Sequence, residues 1–398
     1  MLVGIVGKPS CGKSTFFKAA TSIDVPIAAY PFTTIKPNHG IGFVRVQCVD
    51  REFGVQCNPR LGYCKNGTRF VPVELMDVAG LVPGAHEGKG LGNQFLNDLN
   101  RADVLIHVVD ASGTIDEKGE ATAGYDPSND VRFLEEELDM WYLGILKKGW
   151  EKFARQVEAT RTKIEDALAK QLSAFRVTEP LVTEAITRHK LDRTKPHLWT
   201  EEQMKQLAVD LRRATKPILI ACNKIDLPGA YENYERLKKE FPHYVMVPCS
   251  GDSEIALKEA AKKGLIDYTS GDGDFKILKS DALNEKQKSA LEYIRKNVLK
   301  KCGSTGVQQT LDIAVFQFLK YMAVFPGGVS KLTDREGRVL PDCFLLPPGS
   351  TAIDFAGKIH QDFAKNFLFA IDVRTKMRLG KEHPLKHRDV IEIVSAAK

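Results

Sequence analysis

Residues 7–14 read Gly-Lys-Pro-Ser-Cys-Gly-Lys-Ser, a G-x-x-x-x-G-K-S loop set between the apolar run Leu2–Val6 and a stretch of helical character. Gly7 and Gly12 let the backbone bend until several N–H groups converge on one anion, and the helix that follows adds the positive end of its dipole. In such a loop the Lys13 ammonium reaches the β- and γ-phosphates of a nucleotide and is the first candidate for a catalytic role, while the Ser14 hydroxyl binds Mg²⁺. The candidate phosphate site is therefore Gly7, Lys8, Pro9, Ser10, Cys11, Gly12, Lys13, Ser14 and Thr15. Asp77 closes the strand-like run Phe70–Met76 and opens Asp-Val-Ala-Gly. A carboxylate there can hold the Mg²⁺ shell while the Gly80 N–H faces the γ-phosphate, although Asp-x-x-Gly alone reads more readily as a plain strand-to-turn junction.

A base-reading group is expected at Asn223-Lys224-Ile225-Asp226, after the apolar run Pro217–Cys222. Guanine offers a ring N–H and an amino group side by side, and one carboxylate, Asp226, can accept both; adenine has no such donor pair. Asn223 would brace the loop, and the stem of Lys224 would cover the base. Ser250 and Gly251, after the run Tyr244–Val247, would finish the pocket with backbone donors. The expected ligands are GTP or GDP with Mg²⁺.

These residues need a scaffold. Leu2–Val6, Phe70–Met76, Val104–Val109, Pro217–Cys222 and Tyr244–Val247 are apolar runs of strand length, so a parallel α/β nucleotide domain is expected over residues 1–110 and 217–275. Between them, residues 111–216 exceed the single helix that such a domain requires and imply an inserted helical subdomain. Helical spacing from Asp130 to Gln171, with Phe133, Leu134, Leu138, Trp141, Tyr142 and Ile145 followed by Phe153, Val157, Ile164 and Leu168, predicts two long antiparallel helices meeting near Gly149. Residues 276–325 read as helices returning to the core: Asn284–Leu299 with Leu291, Ile294 and Val298 on one face, then a largely buried Thr310–Met322. From 326 to 398 the pattern changes to short strands (Val329–Leu332, Cys343–Leu346, Phe367–Ile371, Val390–Val394) around one helix, opened by Ser350-Thr351 with Asp354 as the capping acid and Ala352, Phe355, Ile359 and Phe363 as its buried stripe.

Tyr30-Pro31-Phe32-Thr33-Thr34-Ile35, the run Asp77-Val-Ala-Gly-Leu-Val-Pro-Gly-Ala-His-Glu-Gly-Lys-Gly-Leu-Gly-Asn93 and the Asn-Lys-Ile-Asp motif resemble the Obg-related GTPases, specifically the YchF-like branch, over nearly the whole chain. The resemblance implies a P-loop GTPase domain with an inserted coiled-coil arm, a candidate surface for a protein partner. It places Phe32, Thr33 and Thr34 at the nucleotide, with Thr34 the switch I threonine that closes on Mg²⁺ and the γ-phosphate, and Thr33 the second choice. Many YchF members have a degraded guanine motif and accept ATP, whereas the motif here is intact, so GTP is expected and ATP is the alternative. Where Ser10 stands, the family usually has the asparagine associated with potassium-stimulated hydrolysis. The C-terminal module resembles the TGS domain, a ubiquitin-like β-grasp, through Leu345–Ala352 and His387–Ile391.

Leu81 stands where Ras-like proteins carry a water-orienting glutamine, and leucine can neither donate to nor accept from water. Slow turnover is expected, with Lys13, Thr34 and Gly80 as the catalytic candidates; His86 is either a water-positioning group or an ordinary loop residue. Glycines at 80, 84, 88, 90 and 92 suit a segment that orders on the γ-phosphate.

Composition narrows the class. A chain of 398 residues that is 43% hydrophobic supports two or three cores. No apolar run reaches the ~18 residues of a membrane span, and the first residues lead straight into a strand, so a cytoplasmic location without membrane contact is expected. The net charge of +6 is modest, but Arg374, Lys376, Arg378, Lys381, Lys386 and Arg388 crowd the last module, a candidate surface for RNA or the ribosome beside the simpler reading of a solvated basic face. The eight cysteines suggest reduced thiols. Cys48, Cys57 and Cys64 could be imagined with His39 as a zinc site, but their spacing matches no common finger, and ordinary thiols in a hairpin are expected.

Overall fold

Apolar runs too short for helices and bounded by turn residues become buried parallel strands. In the computed structural model, which describes residues 1–21, 38–78 and 98–396, the chain divides into two compact units: Met1–Phe17 with Met76–Gly251, and Lys18–Leu75 with Asp252–Lys398. Phe32, Thr33, Thr34, Gly80, Leu81 and His86 lie outside the described residues.

In the first unit, Leu2–Val6 pairs in parallel with Val104–Asp110, which pairs with Ile218–Asn223, which pairs with Met246–Pro248. The register sets Val6 opposite His107 and Asp110 opposite Asn223. Because the strands share a direction, the loops after residues 6, 110, 223 and 248 leave from one edge. The end of the strand Thr68–Asp77 joins them there: Val78 N donates to Ile5 O at 3.0 Å.

The insertion holds five helices, Ser128–Lys147, Trp150–Thr160, Ile164–Gln171, Glu179–Arg188 and Glu201–Thr215, around one apolar core that includes Tyr142, Leu146, Leu168, Ile186, Leu207 and Leu211. This corrects the expectation of two long helices. The break at Gly149 is present, but a second break follows at Arg161, whose backbone turns left-handed, and Ser128–Lys147 packs chiefly on Glu201–Thr215. Helical periodicity identifies a buried face without identifying its partner. A Thr200–Gln203 capping box starts the last helix. Inside, Arg212 Nε donates to Asp139 Oδ1 at 2.7 Å with the guanidinium almost fully buried.

In the second unit, a five-stranded sheet runs in the order Phe344–Leu346, Met322–Pro326, Val390–Ser395, Phe367–Asp372, Arg378–Leu379, with its central pair parallel. Val324, Leu346, Phe355, Ala370 and Ile391 form its core against the helix Ala352–Ile359. The capping box is present, with Thr351 N and Oγ1 both donating to Asp354 Oδ2 at 2.8 Å. Three expectations need correction. Val329–Leu332 is a turn, because Gly328 N donates to Lys331 O and Val329 N to the Glu392 carboxylate, which uses up the ladder donors. The helix expected through Met322 ends as a π-helical turn at Phe318, and Met322–Pro326 is a strand. Phe363 lies beyond the helix end at Ile359 and is 37% exposed. The segment from Asn284 does follow the sequence reading: helix Glu285–Ile294 continues as a π-helical turn to Leu299, burying Leu291, Ile294 and Val298. No helix among the described residues is long and apolar enough to cross a membrane.

Removing the guanidinium in Arg212→Ala would leave the Asp139 carboxylate buried without its partner, so the insertion should lose about 3–5 kcal/mol. All three tryptophans, Trp141, Trp150 and Trp199, lie in this region. Denaturant unfolding followed by tryptophan fluorescence therefore reads the loss directly.

Candidate functional site

The loop between the first strand and the helix Lys13–Thr21 owes its path to its two glycines. A Cβ on Gly7 would lie 2.6 Å from Val108 O, and one on Gly12, where φ is +89°, would lie 2.3 Å from Asn223 Nδ2. Phe16 N donates to Gly12 O at 2.8 Å, which starts the helix. Lys8–Ser10 and Gly12–Thr15 line an open hollow of about 480 Å³. Ser10, with φ of 60°, holds a left-handed backbone that a side chain rarely adopts.

The two loop lysines have different work. Lys8 is buried: its ammonium donates to Ile115 O at 2.8 Å, pairs with Asp130 at 2.8 Å and lies 3.8 Å from the centre of the Tyr125 ring. It ties the loop to the start of the insertion, so what it can offer a phosphate is its backbone N–H. The Lys13 ammonium instead pairs with the Asp77 carboxylate, which brings the end of the strand Thr68–Asp77 to the hollow. Cys11 is buried beneath the loop, and burial pushes its thiol up to about 11. His107, deep in the sheet, is pushed down to about 3 by burial first and the Lys8 charge second, so it is a neutral core residue near neutral pH.

Asn223 joins two loops. Its Nδ2 donates to Cys11 O at 3.2 Å, and its Oδ1 accepts from Gly251 N at 3.1 Å, both within the buried interior. Lys224 follows with φ of 59°, and its ammonium donates at 2.9 Å to Asp110 Oδ2. Asp110 also accepts from Ser112 N at 3.0 Å and Thr114 Oγ1 at 3.1 Å. Ile225 N reaches Cys249 O at 3.0 Å, so Lys224 and the half-buried Asp226 share a turn with the stretch that carries Ser250 and Gly251.

The structure thus brings together residues 7–15, Asp77, Asn223–Asp226, Ser250 and Gly251. Phe32, Thr33, Thr34 and Gly80 fall outside the described residues. Sequence reasoning missed Asp110, Tyr125 and Asp130. Asp110 had a readable signal, since it ends an apolar strand whose neighbours carry motif residues at the same edge; Asp130 had none, because its pairing with Lys8 spans more than a hundred positions.

Family models match three stretches: 50S ribosome-binding GTPase over residues 2–135, Obg-like GTPase YGR210-like, G4 motif-containing domain over 221–328, and TGS domain over 332–395. The chain is 48% identical to an uncharacterized GTP-binding protein of Methanocaldococcus jannaschii, with 100% of each chain covered. It is 28% identical to the ribosome-binding ATPase YchF of Bacillus subtilis, with 98% of each covered. Among solved structures, the GTP binding protein from Pyrococcus horikoshii OT3 superposes with a TM-score of 0.76 at 37% identity, covering 100% of both chains.

Asn223→Ala would leave Cys11 O and Gly251 N buried without partners, a local cost of about 1–3 kcal/mol. Native-state hydrogen exchange should then be about tenfold or more faster at the Gly251 amide, with amides of the five-helix core unchanged.

Proposed function

Because the chain belongs to the Obg-like, YchF-type family of GTP-binding proteins, we propose that it binds GTP and hydrolyses it slowly to GDP and phosphate, as a switch on a ribosome- or RNA-associated partner. The observation that carries this reading is the Asn223 side chain, which fixes the phosphate loop and the base-reading loop in one piece. Backbone N–H groups of residues 8–14 hold the phosphates, and Lys13 exchanges the Asp77 carboxylate for phosphate oxygens. Asp226 accepts the paired donors of guanine, with the Lys224 stem held over the ring by its bond to Asp110.

The Ser14 hydroxyl and the Asp77 carboxylate, both at the loop, fit a hard, oxygen-seeking cation, and Thr34 completes the set in this reading. Mg²⁺ so held would offset phosphate charge. Gly80 N–H is assigned to the γ-phosphate. With Leu81 at the water-orienting position, positioning and charge stabilisation are left to lower the barrier, which suits a timer better than a metabolic enzyme.

The partner reading draws on the matched 50S ribosome-binding GTPase model and on the C-terminal basic residues. Their number is smaller than the sequence suggests. Arg374 and Arg388 both pair with Glu52, and Lys381 pairs loosely with Glu382 at 3.9 Å, which leaves Lys376, Arg378 and Lys386 exposed for a phosphate backbone.

Titration calorimetry with Mg²⁺ should show GTP binding well ahead of ATP, and single-turnover assays should give slow phosphate release. Asp226→Asn should cut the GTP preference by about tenfold or more, since it puts an amide donor against guanine's donors. An unchanged GTP/ATP ratio in that variant would overturn the base assignment. Ribosome co-sedimentation should be greater with a non-hydrolysable GTP analogue than with GDP and should weaken steeply with salt.

A further inference from the structure

In the second unit, four donor side chains from separate stretches converge. Cys48 follows the strand His39–Gln47, Asp50 opens the short helix Asp50–Phe53, Cys57 lies in the loop after it, and Cys64 sits in the strand Tyr63–Lys65. Their sulfur and carboxylate oxygen atoms all lie within 4.8 Å of one another. Cys48 Sγ is 3.6 Å from Cys57 Sγ, and Cys64 Sγ is 3.9 Å from Asp50 Oδ2. A tetrahedral zinc ion with Zn–S bonds of about 2.3 Å spaces its sulfurs about 3.8 Å apart, whereas a disulfide would bring them to about 2 Å. The thiols are free, and the Cys48–Cys57 pair is at the zinc spacing.

The surroundings are built for anions. Asp50 is buried, and its carboxylate is aimed by Arg51 N at 2.8 Å and Cys57 N at 3.4 Å. No ion pair to it occurs among the described residues, so a buried carboxylate stands beside three thiols without a neutralising cation. Arg69 is the cross-strand partner of Cys64, which puts both side chains on one face. It is fully buried, its guanidinium donates to the Leu340 and Pro341 carbonyls, and its Nε has no partner among the described residues. Three thiolates and a carboxylate with a divalent ion carry net −2, and this guanidinium is placed to offset part of it. Cys64 is only half-buried and gives the ion an entry path.

We propose that Cys48, Asp50, Cys57 and Cys64 bind one Zn²⁺ ion as a closed structural site. Soft thiolates favour zinc over magnesium or calcium, and binding expels the thiol protons without any redox step. His39, the histidine that the sequence offered, is engaged elsewhere, with Nδ1 2.7 Å from Glu74 Oε1. The ion would staple the stretch that the C-terminal module grips: Glu52 takes Arg374 and Arg388, Asn58 N reaches Val339 O at 2.8 Å, and Arg60 pairs with Asp342 at 3.0 Å. A helix and a hairpin that are each too short to hold themselves would be pinned from one point.

The test uses the full chain, purified under reducing conditions without chelator. Elemental analysis should find about one zinc per chain, lost in Cys57→Ser and kept in Cys302→Ser. Because misfolding of Cys57→Ser would also lose zinc, wild-type protein stripped of metal is titrated with Co²⁺. A thiolate-to-cobalt charge-transfer band should saturate near one equivalent, disappear when Zn²⁺ is added, and be accompanied by a higher melting temperature. Fully reduced wild-type protein that takes up neither Zn²⁺ nor Co²⁺ would overturn the site, and so would a Cys48–Cys57 disulfide in protein isolated free of metal.

Discussion

The site depends on one primary amide. Asn223 donates a hydrogen bond to Cys11 O and accepts one from Gly251 N, and both bonds are made in the dry interior. An aspartate there could not donate, and a glutamine would carry its amide a methylene too far. Each such bond is worth about 1 kcal/mol net, but leaving either backbone group unpaired costs more than the bond contributes. The constraint spreads outward: Gly12 must lack a side chain so that Nδ2 can approach, and Lys224 must turn left-handed so that the chain can leave the strand at once. A parallel sheet makes this possible, since only strands of one direction end side by side with their loops on one edge.

How much of this could be read beforehand divides along the range of the interaction. The phosphate loop, Asn223–Asp226 and the Thr351–Asp354 cap are local patterns whose chemistry is complete within a few residues, and they were legible. Contacts closed over long distances were not. The Lys8–Asp130 pair, the Arg69 bonds to Leu340 and Pro341, and the Gln308 amide on Phe43 O at 2.8 Å each join residues about a hundred to several hundred positions apart. The same limit explains the insertion. Period 3.6 in residues 130–171 showed that one face is apolar, but a coiled-coil mate and a five-helix core satisfy that face equally well.

Charge and cysteine counts are incomplete for a related reason: a side chain's type does not say what it is already bound to. Arg374 and Arg388 add to a basic total in sequence but in the fold are taken up by Glu52. Cys48, Cys57 and Cys64 have no finger-like spacing because their stretches meet through a short helix and a hairpin, not through one knuckle, and the fourth donor is an aspartate that no cysteine pattern would include. Burial decides which charges remain for a partner and which are spent on the fold.

Burial also separates two lysine–carboxylate pairs that look alike. Lys224 rests on Asp110, whose carboxylate is wholly buried and further held by Ser112 and Thr114. Moving Lys224 would strand a charge in the interior, so this pair behaves as a fixed strut. Lys13 rests on Asp77, which keeps 19% of its side-chain surface in solvent and takes no other bond among the described residues. The Coulomb gain there is partly screened, and water can stabilise either partner as they separate. Of these two cations, the one next to the open hollow is thus the one that can be traded for another anion at small cost, while the one beside the Asn223–Asp226 turn cannot. The proposed nucleotide switch needs that asymmetry, with one charge free to follow phosphates and one that stays to hold the loop proposed to read the base.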